Sequence, residues 1–193
     1  MSGTSLTNVD WGSLPHPVDD GASSHLNRAA IPDIPLEATN GSTISLGKLP
    51  GRSVVFVYPM TGRPDVALPN GWDQIPGARG CTPQACAFRD QHADLRRAGA
   101  DHIFGLSTQD LEYQREAAER LHLPFPLLSD ARLSFTQAAK LPTMTVDGRI
   151  LAKRLTMIID DGFVVHVFYP VFPPDRNAGD VLAWLQSIRR SNE

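Results

Sequence analysis

Two cysteines, Cys81 and Cys86, are the only thiols of this 193-residue chain, and four residues separate them in the segment GCTPQACAFRD. A cysteine thiolate can act as a nucleophile, bind a metal or form half of a disulfide. In a reducing compartment such a pair is more often catalytic, redox-sensing or metal-binding than a permanent crosslink. Because a chain of this length buries a core without disulfide staples, the pair is a candidate for chemistry.

The residues around the first cysteine predict the N-terminus of a helix. Thr82 suits the N-cap, and Pro83 suits the first helical position, where a missing N–H costs nothing. Cys81 would then precede the first turn, where unpaired backbone N–H groups and the positive end of the helix dipole favour an anion. This position stabilises a nucleophilic thiolate, and Arg79 places a cation nearby in the sequence.

Cys86 lies five positions further along the predicted helix. Ideal helical geometry puts the two cysteine Cα atoms about 8 to 9 Å apart. A disulfide rarely tolerates more than about 7 Å between Cα atoms. If the two cysteines bond, the start of the helix must unwind, so the spacing predicts a switch.

Three other interpretations stay open on the residues alone. A static disulfide would need a non-helical segment and an oxidising compartment. A zinc site that used both cysteines and His92 lacks a fourth ligand at a usual spacing. Two inert buried thiols are also compatible with the sequence, since free cysteine is commonly buried.

The elements that would position the cysteines alternate between strand and helix. The run Ser53–Tyr58 predicts a central strand, ended by Pro59, and a long loop of residues 60–80 leads to the cysteine helix, which ends before Gly99. A strand over residues 101–108 and a helix over residues 109–123 continue the pattern. This order is typical of a βαβ unit and predicts an α/β fold.

Shorter elements complete the predicted domain. The dipeptide Asn40-Gly41 predicts a hairpin near the start, and the turn at residues 160–162 predicts a second hairpin late in the chain. A strand, a short helix and a closing helix are predicted over residues 124–130, 131–140 and 175–190. We expect one domain over residues 31–193, preceded by a flexible N-terminal arm of residues 1–30.

Composition narrows the class of protein. The chain is 41% hydrophobic and 20% charged with a net charge of −3, which offers no basic surface for nucleic acid. Its apolar runs are far shorter than the roughly 20 residues of a membrane helix. The arm lacks the basic and apolar regions of a secretory signal, so we expect a cytoplasmic protein with neither nucleic acid nor a membrane as partner.

Residues from about 32 to 185 resemble the peroxiredoxins, most closely the bacterioferritin comigratory protein or Q-type class. The matching pieces include VVFVYP, GCTPQACAFRD, LPFPLLSD and RLTMIIDDG, of which the cysteine segment is the most specific. The resemblance implies a thioredoxin-like fold, in which helices flank a central mixed sheet and a β-hairpin comes first. It also implies a thiol-dependent peroxidase that needs no cofactor.

The resemblance assigns a role to each candidate residue. Cys81 would attack hydrogen peroxide or an organic hydroperoxide and become a sulfenic acid, and Cys86 would resolve it as an intramolecular disulfide. Thioredoxin or a similar dithiol would reduce that disulfide. Arg154 would stabilise the thiolate and the peroxide. Pro59, Thr61 and Gly80 would line the substrate pocket of a monomer or weak homodimer.

One departure from the family pattern concerns the pocket. The family places a proline, three residues, a threonine or serine and two residues before the cysteine, whereas here the loop from Pro59 to Cys81 is much longer. Ala78 stands three residues before the cysteine and has no hydroxyl. Either Thr61 folds back to supply one, or other groups replace it, or the activity is weak. The loop, which carries three prolines and Trp72, is expected to cover the pocket or shape substrate choice.

Two other functions are compatible with this pattern to different degrees. A redox-sensing or binding protein on the same fold would form the disulfide slowly and pass its oxidised state to a partner. A thioredoxin-like dithiol reductase is disfavoured, because such enzymes place two residues rather than four between their cysteines.

Overall fold

The computed structural model describes residues 9–190. Within this range the strands are β1 (Pro35–Ala38), β2 (Thr43–Ser45), β3 (Arg52–Val57), β4 (His102–Ser107), β5 (Leu127–Ser129), β6 (Thr143–Val146), β7 (Arg149–Ala152), β8 (Leu155–Asp160) and β9 (Phe163–Phe168). The α-helices are α1 (Cys81–Asp90), α2 (His92–Arg97), α3 (Leu111–Arg120), α4 (Ser134–Ala138) and α5 (Asn177–Arg190).

Seven of these strands form a mixed sheet in the order β2-β1-β5-β4-β3-β8-β9. Strand β3 is parallel to β4 and antiparallel to β8, and β4 is parallel to β5. The first hairpin, β1 with β2, turns at Asn40-Gly41 as predicted, and Gly41 has the positive φ that this turn needs. The mixed sheet and its leading hairpin confirm the predicted fold class.

The central strand β3 separates two apolar cores. Val54 and Phe56 face a core shared with α1, α2, α3 and α5, whereas Val55 and Val57 face a core that includes α4. This division follows from the period of two along a strand, and all four side chains are fully buried. The ring of Phe56 stacks on Phe88 of α1 with centroids 4.4 Å apart, so the cysteine helix is fixed against the sheet.

Two elements differ from the prediction. The helix after the loop breaks at Gln91, which leaves α1 and α2 as separate pieces. A further hairpin, β6 with β7, turns at Asp147 and Gly148, which have φ angles of 48° and 73°. This dipeptide is of the same kind as the Asp161-Gly162 turn that the sequence did reveal.

The described part of the arm, residues 9–30, contacts the domain and is not loose as its composition suggested. Leu26 is 2% exposed in the core around β1, and Ala30 pairs with Phe163 at the edge of β9. Trp11 donates its indole N–H to Asp175, 2.9 Å away. A few apolar and aromatic contacts thus order a segment rich in polar residues, while residues 1–8 lie outside the described range.

No helix within residues 9–190 combines the length and the apolar character that crossing a membrane requires.

Candidate active site

The chain enters the site from the end of β3, where Tyr58 follows the strand. Its ring is 1% exposed and its hydroxyl donates to Oε1 of Gln114, 2.9 Å away. Burial, and then the charge at Cys81, raise the pKa of Tyr58 well above its usual value. The hydroxyl therefore stays protonated next to the cysteine and acts as a hydrogen-bond donor.

The long loop of residues 60–80 is packed against the domain. Trp72, which is 3% exposed, forms a small cluster with Met60, Ala78, Val146 and Leu151. The loop therefore rests on the hairpin of β6 and β7, and its last residues are held next to the cysteine helix. A packed loop of this kind supplies fixed backbone groups rather than a flexible flap.

The cysteine helix begins two residues earlier than predicted. Gly80 is its N-cap, with a φ of 103°, and the Gly80 carbonyl accepts from the N–H of Gln84 at 3.0 Å. Cys81 is therefore the first helical residue, not the residue before a Thr82 cap. Pro83 becomes the third, where its missing N–H still costs nothing. The correction keeps Cys81 at the positive end of the helix dipole.

Cys81 and Arg154 meet in the protein interior. Nη2 of Arg154 donates to Sγ of Cys81 at 3.1 Å, and the two residues are 3% and 4% exposed, respectively. Arg154 immediately precedes β8, so the sheet delivers the guanidinium to the start of α1. The contact is a charge-assisted hydrogen bond, which is stronger in a buried site.

Backbone carbonyls of the loop complete the surroundings of the pair. The carbonyls of Ala78 and Arg79 accept from Nη2 of Arg154 at 3.1 and 3.2 Å. The Cys81 thiol lies 3.7 Å from the Ala78 carbonyl. At position 78, the family pattern has the hydroxyl of a threonine or serine. This chain has Ala78 there, and main-chain oxygens lie near the cysteine instead. The side chain of Arg79 donates to Asp73, 2.9 Å away.

A buried polar network that the sequence did not reveal orients Arg154. Its Nη1 donates to Oε1 of Gln84, and Nε2 of Gln84 donates to Oδ1 of Asn177 at 2.9 Å. The hydroxyl of Thr156 donates to the same Asn177 oxygen at 2.6 Å. Gln84 and Asn177 each stand four residues before a buried apolar residue of their own helix. In the sequence, the signal for these two residues is a polar side chain at a position that lies on the apolar face of a helix.

One donor of Arg154 is left over. Its Nε is buried and has no hydrogen-bond partner among the residues that the structure describes. A buried donor without a partner is costly, and this is the one nitrogen of Arg154 that the described hydrogen bonds leave unpaired.

The other predicted pocket residues lie in two places. Gly80 adjoins Cys81 as its N-cap. The Thr61 hydroxyl donates to Oε1 of Gln109 at 3.2 Å, and the Pro59 carbonyl accepts from Ser107 at 3.1 Å. These bonds tie Thr61 and Pro59 to the residues at the end of β4. Within the described hydrogen bonds, the structure does not bring either residue together with Cys81 and Arg154.

Cys86 lies in a different environment, although it belongs to the same helix. Both cysteines are free, and Cys86 is half-buried. Burial raises the pKa of the Cys86 thiol; the positive charge of Arg89 lowers it to a smaller extent, and the negative charge of Asp90 raises it further. At neutral pH Cys86 is therefore protonated until its surroundings change. Within residues 9–190, no group of three or more His, Cys, Asp and Glu side chains is arranged to hold a metal ion.

A cavity of about 390 Å³ lies on one side of Arg154, and Cys81 is not among the residues that line it. Its walls come from the arm, the long loop, β6 and the residues around β8 and β9, and they include Arg154. The residue that contacts the Cys81 sulfur is therefore also part of the wall of a space large enough for a small molecule.

Comparisons with known proteins agree on one family. The family model described as Redoxin matches residues 27–182. The chain is 31% identical over 161 residues to a putative chloroplastic peroxiredoxin Q of Oryza sativa subsp. indica. This match covers 83% of this chain but only 66% of the rice protein. The chain is 32% identical over 160 residues to the chloroplastic peroxiredoxin Q of Sedum lineare, which covers 82% of this chain and 76% of that protein.

A solved structure shows the same fold. The crystal structure of peroxidoxin BcpB from Mycobacterium tuberculosis superposes with a TM-score of 0.65 at 28% identity, and the match covers 84% of this chain and 97% of that one. The matched range 27–182 of the family model contains Cys81, Cys86 and Arg154, whereas most of the arm lies before it.

Proposed function

Because this chain belongs to the redoxin family, among its Q-type peroxiredoxins, we propose that it is a thiol-dependent peroxidase for hydrogen peroxide or organic hydroperoxides. The contact of 3.1 Å between Nη2 of Arg154 and Sγ of Cys81, buried at the start of α1, carries the proposal. It combines a nucleophile, a cation and a helix N-terminus in one place.

In the first step the Cys81 thiolate attacks one peroxide oxygen. The sulfur–oxygen bond forms as the oxygen–oxygen bond breaks, and the departing oxygen takes a proton to leave as water or an alcohol. Cys81 becomes a sulfenic acid. Arg154 stabilises the negative charge that moves from sulfur to the departing oxygen, because its donors are already oriented by Gln84 and the loop carbonyls.

In the second step Cys86 attacks the sulfenic sulfur, and water leaves as the disulfide forms. The helical separation of about 8 to 9 Å between Cα atoms exceeds the reach of a disulfide, so the start of α1 must unwind first. Unwinding also exposes Cys86, which lowers its raised pKa and supplies the thiolate. Thioredoxin or a similar dithiol then restores both thiols by exchange.

The proposal also includes the cellular location and the oligomeric state of the protein. We assign it to the cytoplasm, where a reducing environment would keep both cysteines free between turnovers, and we assign it a monomeric or weakly dimeric state. Cell fractionation and light scattering of the purified protein test these two assignments.

Peroxide consumption tests the activity directly. The purified protein should consume hydrogen peroxide or an alkyl hydroperoxide with dithiothreitol or a thioredoxin system as reductant, and Cys81→Ser should consume neither. Equal consumption by the wild type and Cys81→Ser would overturn the proposal.

A slow redox sensor is the second candidate, and the residue at position 78 favours it. Ala78 offers a carbonyl where the family pattern has a hydroxyl, so the peroxide has one side-chain donor fewer. Stopped-flow measurement of peroxide attack separates the two functions. Fast oxidation with repeated turnover indicates the enzyme, whereas slow oxidation with a long-lived disulfide indicates the sensor.

A further inference from the structure

Three buried polar side chains connect the reactive arginine to helix α5. Gln84 belongs to α1, Thr156 belongs to β8, and Asn177 is the first residue of α5. Each of the three is at most 1% exposed. Polar atoms at such depth need partners within the protein, so the hydrogen bonds of these side chains determine how each of them is oriented.

The hydrogen bonds of Gln84 run in one direction. Arg154 has donors only, so Gln84 must turn its amide oxygen, Oε1, toward Nη1 of the guanidinium. The amide nitrogen of Gln84 then points the other way and needs an acceptor. Oδ1 of Asn177 is that acceptor, 2.9 Å from Nε2 of Gln84.

Thr156 fixes the orientation of Asn177 in the same way. Its hydroxyl donates to Oδ1 of Asn177 at 2.6 Å, so this oxygen accepts two hydrogen bonds. If the Asn177 amide turned over, its NH₂ group would face the NH₂ group of Gln84, and two donors would meet. Donors and acceptors therefore match along the whole chain from Thr156 to Arg154 in the orientation that the structure shows.

The position of Gln84 matters for the direction of the guanidinium. Gln84 accepts from Nη1 of Arg154, whereas Nη2 donates to the Cys81 sulfur and to loop carbonyls. A planar guanidinium that is held at both terminal nitrogens has little freedom to rotate, and its rigid fork fixes the line along which Nη2 points. The bond at Nη1 therefore helps to aim Nη2 at the sulfur.

We propose that Asn177 is a positioning residue for the reaction at Cys81. Its described hydrogen bonds reach Gln84 and Thr156 rather than the sulfur, so it acts through the Gln84 amide, which holds the guanidinium. Without the Asn177 oxygen, Nε2 of Gln84 would be a buried donor without a partner, and this side chain would leave Arg154 to find one. This inference rests on the proposed peroxidase function.

A double-mutant cycle in stopped-flow kinetics tests the proposal. Asn177→Leu should slow peroxide attack on Cys81 by about three- to tenfold, which corresponds to the net free energy of one hydrogen bond. In a Gln84→Leu background the same substitution should cause no further loss, because the side chain through which Asn177 acts is already gone. Asn177→Asp keeps an acceptor oxygen for both donors and should react at nearly the wild-type rate.

Asp130→Ala is the matched control for a loss of stability. Asp130 is buried and accepts from the N–H groups of Phe135 and Thr136 at the start of α4. Phe135 lies in the core on the other face of the sheet from the cysteine helix. This variant should lower the unfolding temperature without slowing peroxide attack.

A measurement without peroxide separates this inference from the peroxidase proposal. In nuclear magnetic resonance spectra of the reduced protein, the bond to Gln84 should protect the Nη1 protons of Arg154 from exchange with water. Their signal should broaden in Asn177→Leu and stay sharp in Asp130→Ala.

Four results would overturn the inference: an unchanged signal in Asn177→Leu, equal rates for this variant and the wild type, additive losses in its double variant with Gln84→Leu, or an Asn177→Asp variant as slow as Asn177→Leu. Failure of the peroxidase proposal would look different, because the wild type would then react with no peroxide while the Arg154 signal still depended on Asn177.

Discussion

The two cysteines of α1 lie on one helix yet have opposite surroundings. Cys81 is the first residue of the helix, is buried and accepts a hydrogen bond from Arg154. Cys86 lies one and a half turns further along, half-buried among apolar side chains, and burial raises its pKa. The proposed roles of nucleophile and resolving thiol use this difference, because the helix end and a single arginine place positive charge beside only one of the two sulfur atoms.

The largest effect should follow from removing the second cysteine. Cys86→Ser should still react with peroxide, but the Cys81 sulfenic acid should persist, since no partner remains within the chain. A dimedone-type probe followed by mass spectrometry should label Cys81 in this variant and give little label in the wild type. Label on no cysteine of Cys86→Ser would contradict the assignment of roles.

Removal of the arginine tests the environment of the first cysteine. Arg154→Gln should slow peroxide attack by about 10² to 10³-fold, as expected for the loss of a preorganised donor. Stopped-flow kinetics measure this rate, and thermal unfolding shows whether the variant is folded. Arg154→Lys is the control, because it keeps the charge but not the fork of donors, so its rate should be intermediate. If Arg154→Gln reacts with peroxide as fast as the wild type, the arginine does not cause the difference between Cys81 and Cys86.

Alkylation at different pH values tests the environment of the second cysteine. In Cys81→Ser, the rate at which iodoacetamide modifies Cys86 should rise by about tenfold per pH unit below the pKa, since only the thiolate reacts. Because the pKa of Cys86 is raised in the folded helix, this rise should continue to higher pH than in the same variant unfolded in urea. Identical pH profiles for the folded and unfolded protein would contradict the conclusion that burial raises the pKa of Cys86.

The smallest effect concerns the contact between the arm and the helix start. A Cβ atom added at Gly80 would lie 2.6 Å from Cη2 of Trp11 and 2.8 Å from Cγ of Pro174, so these rings pack closely on the residue before Cys81. Unwinding α1 must disturb this packing. Trp11→Ala should therefore form the Cys81–Cys86 disulfide a few-fold faster, by the loss of a modest buried contact. Quenched-flow mass analysis measures the rate, with Trp184→Ala on α5 as the control.

Local patterns predicted most of the elements that carry the site. The continuous apolar run before Pro59 predicted the central strand, because a strand buried on both faces needs apolar residues on both. The helix after the loop was also predicted, but its start was placed two residues late. The conformation of Gly80, with a φ of 103°, depends on the loop that precedes it and not on a capping side chain.

Long-range contacts explain what the sequence did not reveal. The bond between Gln84 and Asn177 joins residues 93 positions apart, and the bond between Trp11 and Asp175 joins residues 164 positions apart. Neither pairing follows from spacing or propensity. Arg154 was identified through the family resemblance alone, and the position of its guanidinium depends on the register of β8 in the sheet.

The packing of Trp11 on Gly80 has a practical consequence for observing this protein. An indole ring that rests on the first turn of α1 changes its surroundings whenever that turn opens. Tryptophan fluorescence should therefore follow the oxidation of the cysteines without any added label. Trp72 and Trp184 contribute a background, which the spectrum of the Trp11→Ala variant defines.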